Sequence, residues 1–528
     1  MRKLFACVVA AVMTATAAPT LAETPRDALV MAFTIDDIIT LDPAEMFEFT
    51  ALEYAGNTYD RLIGYDVKDV SKIYGVAAES WTISDDGKTF TFKMRSGVKF
   101  PSGNPLTAED AAFSLQRAVI LDKSPAFILT QFGFTADNVR EKIRATDDMT
   151  LVIETDQAYA PTFVLYCLTA GVASIVDKTL VMEHEQDGDM GNGWLKTNYA
   201  GVGPFKLREW KANESLTLDR YDDYWGGAPA MKRVIIRHIV EAATQQLLLE
   251  KGDIDIARNL GPDQLVTLRN NPDVYIQDGV KGAVYYLGLN QKHEALSKPQ
   301  VRQALKYLVD YQGMESTIVR DLMRNHQAFL PSGFLGALEA KPFTLDIGKA
   351  KQLLAEAGYP DGFKVTMDTR SISPILDMAQ SIQATFAQAG VELEIIPGDG
   401  SQTLTKYRAR NHDIYIGRWG PDYQDPHTNA DTFARNPDNS DDAQSKPLAW
   451  RNAWDIPEMT KEADAAVLER DPAKRALMYL EIQKVHQATS PFVIMFQQTE
   501  VAGVRADTKG FIIGPSFDDN HYRDVTKQ

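Results

Sequence analysis

The sequence predicts a mixed α/β protein built from more than one lobe, and three observations predict it. At 528 residues the chain exceeds what a single hydrophobic core usually holds. The first half reads mainly as strands and turns. The second half alternates strands with amphipathic helices in a β-α-β-α-β run, which favours a parallel sheet with right-handed crossovers. Composition, at 44% apolar and 24% charged, is that of an ordinary globular protein, so pattern has to carry the reading.

Arg2 and Lys3 form a basic start, and "LFACVVAAVMTATAA" follows as an apolar stretch too short to span a bilayer. Thr20 and Ala22 stand at the small-residue positions of a cleavage site, so residues 1–22 are expected to be a signal peptide cut before Glu23. "LFAC" resembles a lipoprotein box but leaves no apolar region ahead of its cysteine. Next, "DALVMAFTIDDIITLDP" predicts a strand and a turn. "WTISDDGKTFTFKM" predicts a hairpin around Asp86-Gly87. "TAEDAAFSLQRAV" predicts a helix capped by Thr107, with Glu109 and Asp110 in the first turn where the helix dipole favours negative charge.

"FKLREW", "SLTLDRY" and "RVIIRHI" predict three further strands, and "GAVYYLGLN" at 282–290 a glycine-flanked apolar one, where the pattern changes. Val301, Ala304, Leu305, Leu308 and Val309 fall on one helical face. "FKVTMDT" alternates as a strand with Phe363, Val365 and Met367 on one side. Residues 374–390 predict a helix opened by proline and closed by glycine, with Met378, Ile382, Phe386 and Ala389 as its buried stripe. "VELEII", "QTLTKYRARN" and "DIYIGRW" predict strand, helix and strand.

The net charge is −17, and removing the signal's two basic residues makes it 53 − 72 = −19. Such an acidic chain lacks the basic footprint that nucleic acids or anionic membranes require. Cys7 leaves with the signal, and Cys167 alone can form no internal disulfide. It reads as a small buried apolar residue.

Ligands of open α/β sheets bind beyond the carboxyl ends of the strands. Arg370 directly follows "FKVTMDT", and Asp422 follows "DIYIGRW" through a Gly420-Pro421 turn. One strand end therefore offers a cation for a carboxylate, the other an anion for an ammonium, a pair that fits a small zwitterion. The alternative is two solvated loop charges, or a pair satisfying each other. Trp419 and Tyr423 read either as packing or as walls for a ligand amine. Asp422, Asp425, His427 and Asp431 fail the calcium-loop spacing, and there is no HExxH or cysteine pair, so no metal and no cofactor is expected. A hydrolase lacks its G-x-S-x-G elbow.

Several stretches in fixed order resemble the extracellular solute-binding family 5 of ABC importers, the periplasmic dipeptide- and oligopeptide-binding proteins. They are residues 77–118, "GVGPFKLREWKANESLTLDRYDDYWGGAP" at 201–229, "KPQVRQALKYLVD" at 298–310, "AKQLLAEAGYPDGF" at 350–363, and 469–491. The resemblance implies an α/β two-lobed clamshell with an extra subdomain in the first lobe and two hinge crossings, near 285–289 and 492–497. Lobe I would hold 23–284 with 497–528, lobe II 285–496, and the extra subdomain about 60–190. It implies a periplasmic, monomeric, non-catalytic receptor that hands a peptide or similar zwitterion to an ABC permease. By resemblance, "WGPD" gives Asp422 the ligand's ammonium with Trp419 as wall, and "MDTRSISP" gives Arg370 the carboxylate. Phe47, Glu48, Phe49 and Phe127 would supply contacts from the first lobe. The aromatic "AEMFEF" departs from oligopeptide binders and implies a smaller or more apolar ligand. An opine, betaine, sugar or metal chelate in the same fold, and a secreted hydrolase, are the competing readings.

Overall fold

An eleven-stranded mixed sheet runs through the molecule, with strands in the spatial order 392–398, 364–370, 414–419, 274–289, 492–505, 256–257, 28–33, 233–238, 215–220 and 205–211, and Met323–Asn325 attached to the edge of 492–505. The computed structural model describes residues 24–528, so the expected signal peptide, residues 1–22, lies outside the described residues. The helix-and-strand run of the second half folds as expected. Lys364–Arg370 pairs in parallel with both Glu392–Gly398 and Ile414–Trp419. The helices Ile375–Gln388 and Gly400–Arg408 make the crossovers. Val365, Met367, Met378, Ile382, Phe386 and Ala389 are buried together, so one apolar stripe on the helix meets one face of the strand.

Two strands join this half of the sheet to the other. Val274–Leu289 and Phe492–Arg505 run antiparallel along most of their lengths, from Val274 opposite Arg505 to Gly288 opposite Phe492. At about 3.3 Å per residue, strands of this length cross from one lobe into the next. The register shifts between Val280 and Val284, a local break of the kind that bends a strand. Gly282 sits inside it, and a Cβ there would come 2.9 Å from the ring of Pro421. The crossing therefore presses directly on the turn that carries Asp422.

Only the apolar end of the first crossing is legible in the sequence, because Gln277, Asp278 and Lys281 interrupt the alternation upstream. Two of the reasons these polar groups are tolerated are visible. Gln277 Nε2 donates to the Phe511 carbonyl at 2.6 Å. The fully buried Lys281 donates to the carbonyls of Gly514 and Ser516 and to Asn520 Oδ1, at 2.7, 2.7 and 2.8 Å, and faces Glu500 at 3.3 Å. Glu500 in turn meets Arg258, whose fork also grips Glu53 at 2.7 and 2.9 Å. Tyr522 donates to Glu53 as well. This buried cluster ties both crossing strands to the helix Phe49–Thr58 and the C-terminal segment.

A separate four-stranded antiparallel sheet, 78–83, 89–94, 150–154 and 143–147, forms a further core with the helix Ala108–Leu121. The hairpin turns at Gly87, which has φ +76°, and the helix carries the expected Thr107 cap, closed reciprocally by Asp110. Cys167 is a free, fully buried member of that core. One helical expectation needs correcting. The helix beginning at Pro299 ends at Lys306, before Leu308 and Val309, and a new one starts at Tyr311 under the cap of Asp310. Both residues are nonetheless buried, so the apolar pattern marked the core correctly and the helix length wrongly. Among the described residues no helix is long and apolar enough to cross a membrane.

Candidate ligand-binding site

The strand Ile414–Trp419 ends on Gly420 and Pro421, and the chain then turns into the helix Pro426–Phe433. Asp425 caps that helix, accepting the His427 N–H at 2.9 Å. It also forms a bidentate pair with the buried Arg475, at 2.6 and 2.7 Å, and Arg475 donates onward to the Ala466 carbonyl and to Thr162. Asp425 is thus committed to structure, and His427 is buried against the Phe163 ring. Among the described residues no group of three potential metal ligands gathers here or elsewhere.

Asp422 is different. Its N–H is fixed by Thr428 Oγ1 at 3.1 Å, but among the described residues its carboxylate has no ion-pair partner. Burial, with Asp431 nearby, pushes its carboxyl up to about 7, against a smaller opposing effect of the Thr428 hydroxyl. The turn forms one wall of a cavity of about 230 Å³. The other walls come from Met46, Phe47, Phe49 and Leu52, from Tyr65, Pro125 and Ile128, and from residues 169–172 and 515–518. Aromatic rings dominate it: Phe47, Phe49, Trp419, Tyr423 and Phe517, with Phe49 stacked on Phe517 at 3.7 Å between centroids. The second acid of the lining, Asp518, is already paired with Arg61 at 2.8 Å. The arrangement is a small apolar chamber with an uncommitted carboxylate, suited to a compact solute that carries an ammonium group.

Of the residues expected from sequence, Asp422, Trp419, Tyr423, Phe47 and Phe49 line this cavity. Three do not. Glu48 caps the helix Phe49–Thr58 with its backbone and accepts the Phe47 N–H at 3.2 Å. Phe127 stands behind Phe47, edge to face at 6.0 Å, and is 42% exposed. Arg370 is exposed at its strand end, where its guanidinium lies against Gly400 outside the cavity walls. Sequence reasoning missed Arg418 and Phe517. Arg418 was hidden inside a run read as strand, although a charge next to the end of an apolar strand is itself a signal. Phe517 lies in a C-terminal segment with no periodicity to mark it.

The carboxyl's position sets a pH dependence. An ammonium ligand binds the ionised form, so below about pH 7 it must displace a proton from Asp422. A peptide α-amino group, with a pKa of about 7.7–8.0, stays charged as the solution is acidified. Affinity for such a ligand is therefore expected to be greatest between about pH 7 and 8, to fall by about tenfold per unit below 6.5, and to decline above 8 as the ammonium itself deprotonates. Calorimetric titrations between pH 5 and 8 would read this directly, and a flat profile would show that no charge on Asp422 is used.

A cleft receptor for small solutes is the class that this fold and chamber define. A family model for bacterial extracellular solute-binding proteins, family 5, matches residues 72–441, and the chain belongs to that family. It is 29% identical over 509 residues to the probable D,D-dipeptide-binding periplasmic protein DdpA of Escherichia coli strain K12, covering 94% of this chain and 93% of the relative. It is 25% identical over 496 residues to the glutathione-binding protein GsiB of Salmonella paratyphi A, covering 91% and 92%. Among solved structures it superposes on the periplasmic binding protein DppA of Helicobacter pylori in complex with peptide STSA. That match has a TM-score of 0.79, 25% identity, and coverage of 95% of this chain and 98% of that one.

Proposed function

We propose that this protein is a non-catalytic periplasmic receptor that captures a dipeptide-like or short peptide zwitterion between its lobes and delivers it to the membrane permease of an ABC importer. The observation that carries the reading is the unpaired carboxylate of Asp422 in an aromatic chamber, within a fold whose relatives are named for binding D,D-dipeptides, dipeptides and glutathione. Asp422 receives the ligand's ammonium. Trp419, Tyr423, Phe47 and Phe49 enclose it and exclude water, which strengthens the charge contact. Glu48 and Phe127 act behind this layer, by holding the Phe47–Phe49 segment. Arg370, one strand away and outside the walls, would reach only a ligand extending beyond the chamber.

On this reading lobe I comprises 23–284 with 497–528, lobe II 285–496, and the extra subdomain about 60–190. The mature chain begins after Ala22 and acts as a monomer. Closure swings the lobes about the two crossing strands. The helix Pro161–Cys167 meets the site segment on closing, through Phe163 against Tyr423 at 5.8 Å between centroids and Thr162 against Arg475 at 3.2 Å.

The test is native mass spectrometry of protein purified from its own host, followed by a thermal-shift screen with L,L- and D,D-dipeptides, tripeptides, opines and betaines. The receptor reading expects a co-purified or stabilising ligand with a free amino group and no turnover. Indifference to every peptide, or hydrolysis of one, would overturn it.

A further inference from the structure

Among the residues lining the Asp422 chamber, Arg418 is the single lysine or arginine. It stands in the strand Ile414–Trp419, backbone-paired opposite Tyr285 of the first crossing strand. Its side chain is exposed to the cleft, and among the described residues it has no carboxylate partner. What holds it is aromatic. The guanidinium lies over the Phe49 ring at 4.7 Å and 5.9 Å from the centroid of Phe517, and Nη1 makes only a long 3.4 Å bond to Gln498 Oε1. Ring faces hold a guanidinium plane while leaving its in-plane N–H donors free, and those donors match a carboxylate bidentately. The chamber therefore contains one uncommitted cation and one uncommitted anion, four positions apart in the chain and in the same walls. Its volume, about 230 Å³, is below the roughly 300–1,000 Å³ of sites for drug-sized ligands.

Building on the receptor reading above, we propose that Arg418 binds the ligand's carboxylate, and that both ends of the ligand are held within the chamber, which limits it to about the length of a dipeptide. Arg370 is then outside the reach of such a ligand.

The experiment uses the full mature protein with alanyl-alanine (L,L and D,D), methionyl-leucine, their C-terminal amides, and the corresponding tripeptides. Calorimetry compares wild type, Arg418→Met, Arg418→Lys and Arg370→Met, and melts of the ligand-free proteins confirm folding. The expected result is that a free-acid dipeptide binds wild type and weakens by about 10- to 100-fold in Arg418→Met, the scale of a lost charged hydrogen bond. Amidation should cost wild type a similar factor and Arg418→Met almost nothing, Arg418→Lys should fall between, and Arg370→Met should stay within about threefold of wild type. Unchanged dipeptide affinity in Arg418→Met, or an amide that binds as well as the acid, overturns the role of Arg418 while the receptor reading stands. Tripeptides that bind tightest and depend on Arg370 overturn it in the same way. If no peptide binds wild type, both fail together.

Discussion

Asp422→Asn is expected to weaken an ammonium-bearing dipeptide by about 2–5 kcal/mol, and at the same time to leave the ligand-free protein as stable as wild type or more so. The two effects share one cause. Without a ligand the carboxylate is half-buried with no cation paired to it, so its ionised form is costly to the fold. The unfolded carboxyl has a pKa of about 3.9, so as pH rises from there to the folded value of about 7 the native state loses stability relative to the unfolded chain, and above 7 the loss is complete. Asparagine keeps the shape and removes that charge. An ammonium ligand offsets the same cost in wild type, which is why stability and affinity should move in opposite directions. N-acetylated dipeptides provide the control: they should bind both proteins equally poorly. Calorimetry and thermal melts at pH 8 give both readouts, and a variant that binds the free dipeptide as wild type does would remove Asp422 from the site.

Arg258→Met should be the most damaging change to stability away from the chamber. The guanidinium is buried between Glu53 and Glu500, and burial alone would drive Glu500 toward neutrality. Removing the cation leaves them facing each other with only Lys281, Asn520 and Tyr522 to satisfy them. Breaking a buried ion pair from one side costs about 3–5 kcal/mol. Urea denaturation should show that loss, and converting Glu53 and Glu500 to glutamine in the same chain should restore part of it. A loss of less than about 1 kcal/mol in the single variant would mean that the cluster is wetter or more adaptable than its burial indicates.

Much of the second half of the chain is legible in the sequence, because its elements follow a single rule each. The strand containing Val365 and Met367 alternates, and the helix containing Met378, Ile382 and Phe386 repeats every three to four residues. The crossing strand at 274–289 is legible only at its apolar end because its polar residues are satisfied by the C-terminal segment, more than 230 positions away in the chain. No local pattern encodes a partner at that separation. The chamber divides in the same way. Asp422 was visible because the turn residues Gly420 and Pro421 announce a strand end. Arg418 was not, because its significance lies in the rings of Phe49 and Phe517, which arrive from opposite ends of the sequence.

The charge cluster on the crossing strands has a further consequence, which concerns how the protein meets acid. Burial favours a neutral Glu500, but Arg258 and Lys281 overcome it and hold the carboxyl at about 2. Its contribution to stability is present in full above the unfolded value of about 4.3 and is lost only as pH falls toward 2. Protons therefore reach Asp422 several pH units before they reach Glu500 at the joint between the lobes. Dialysis at about pH 5 should strip the cargo from an intact molecule, and returning to neutrality should make it ready to load again.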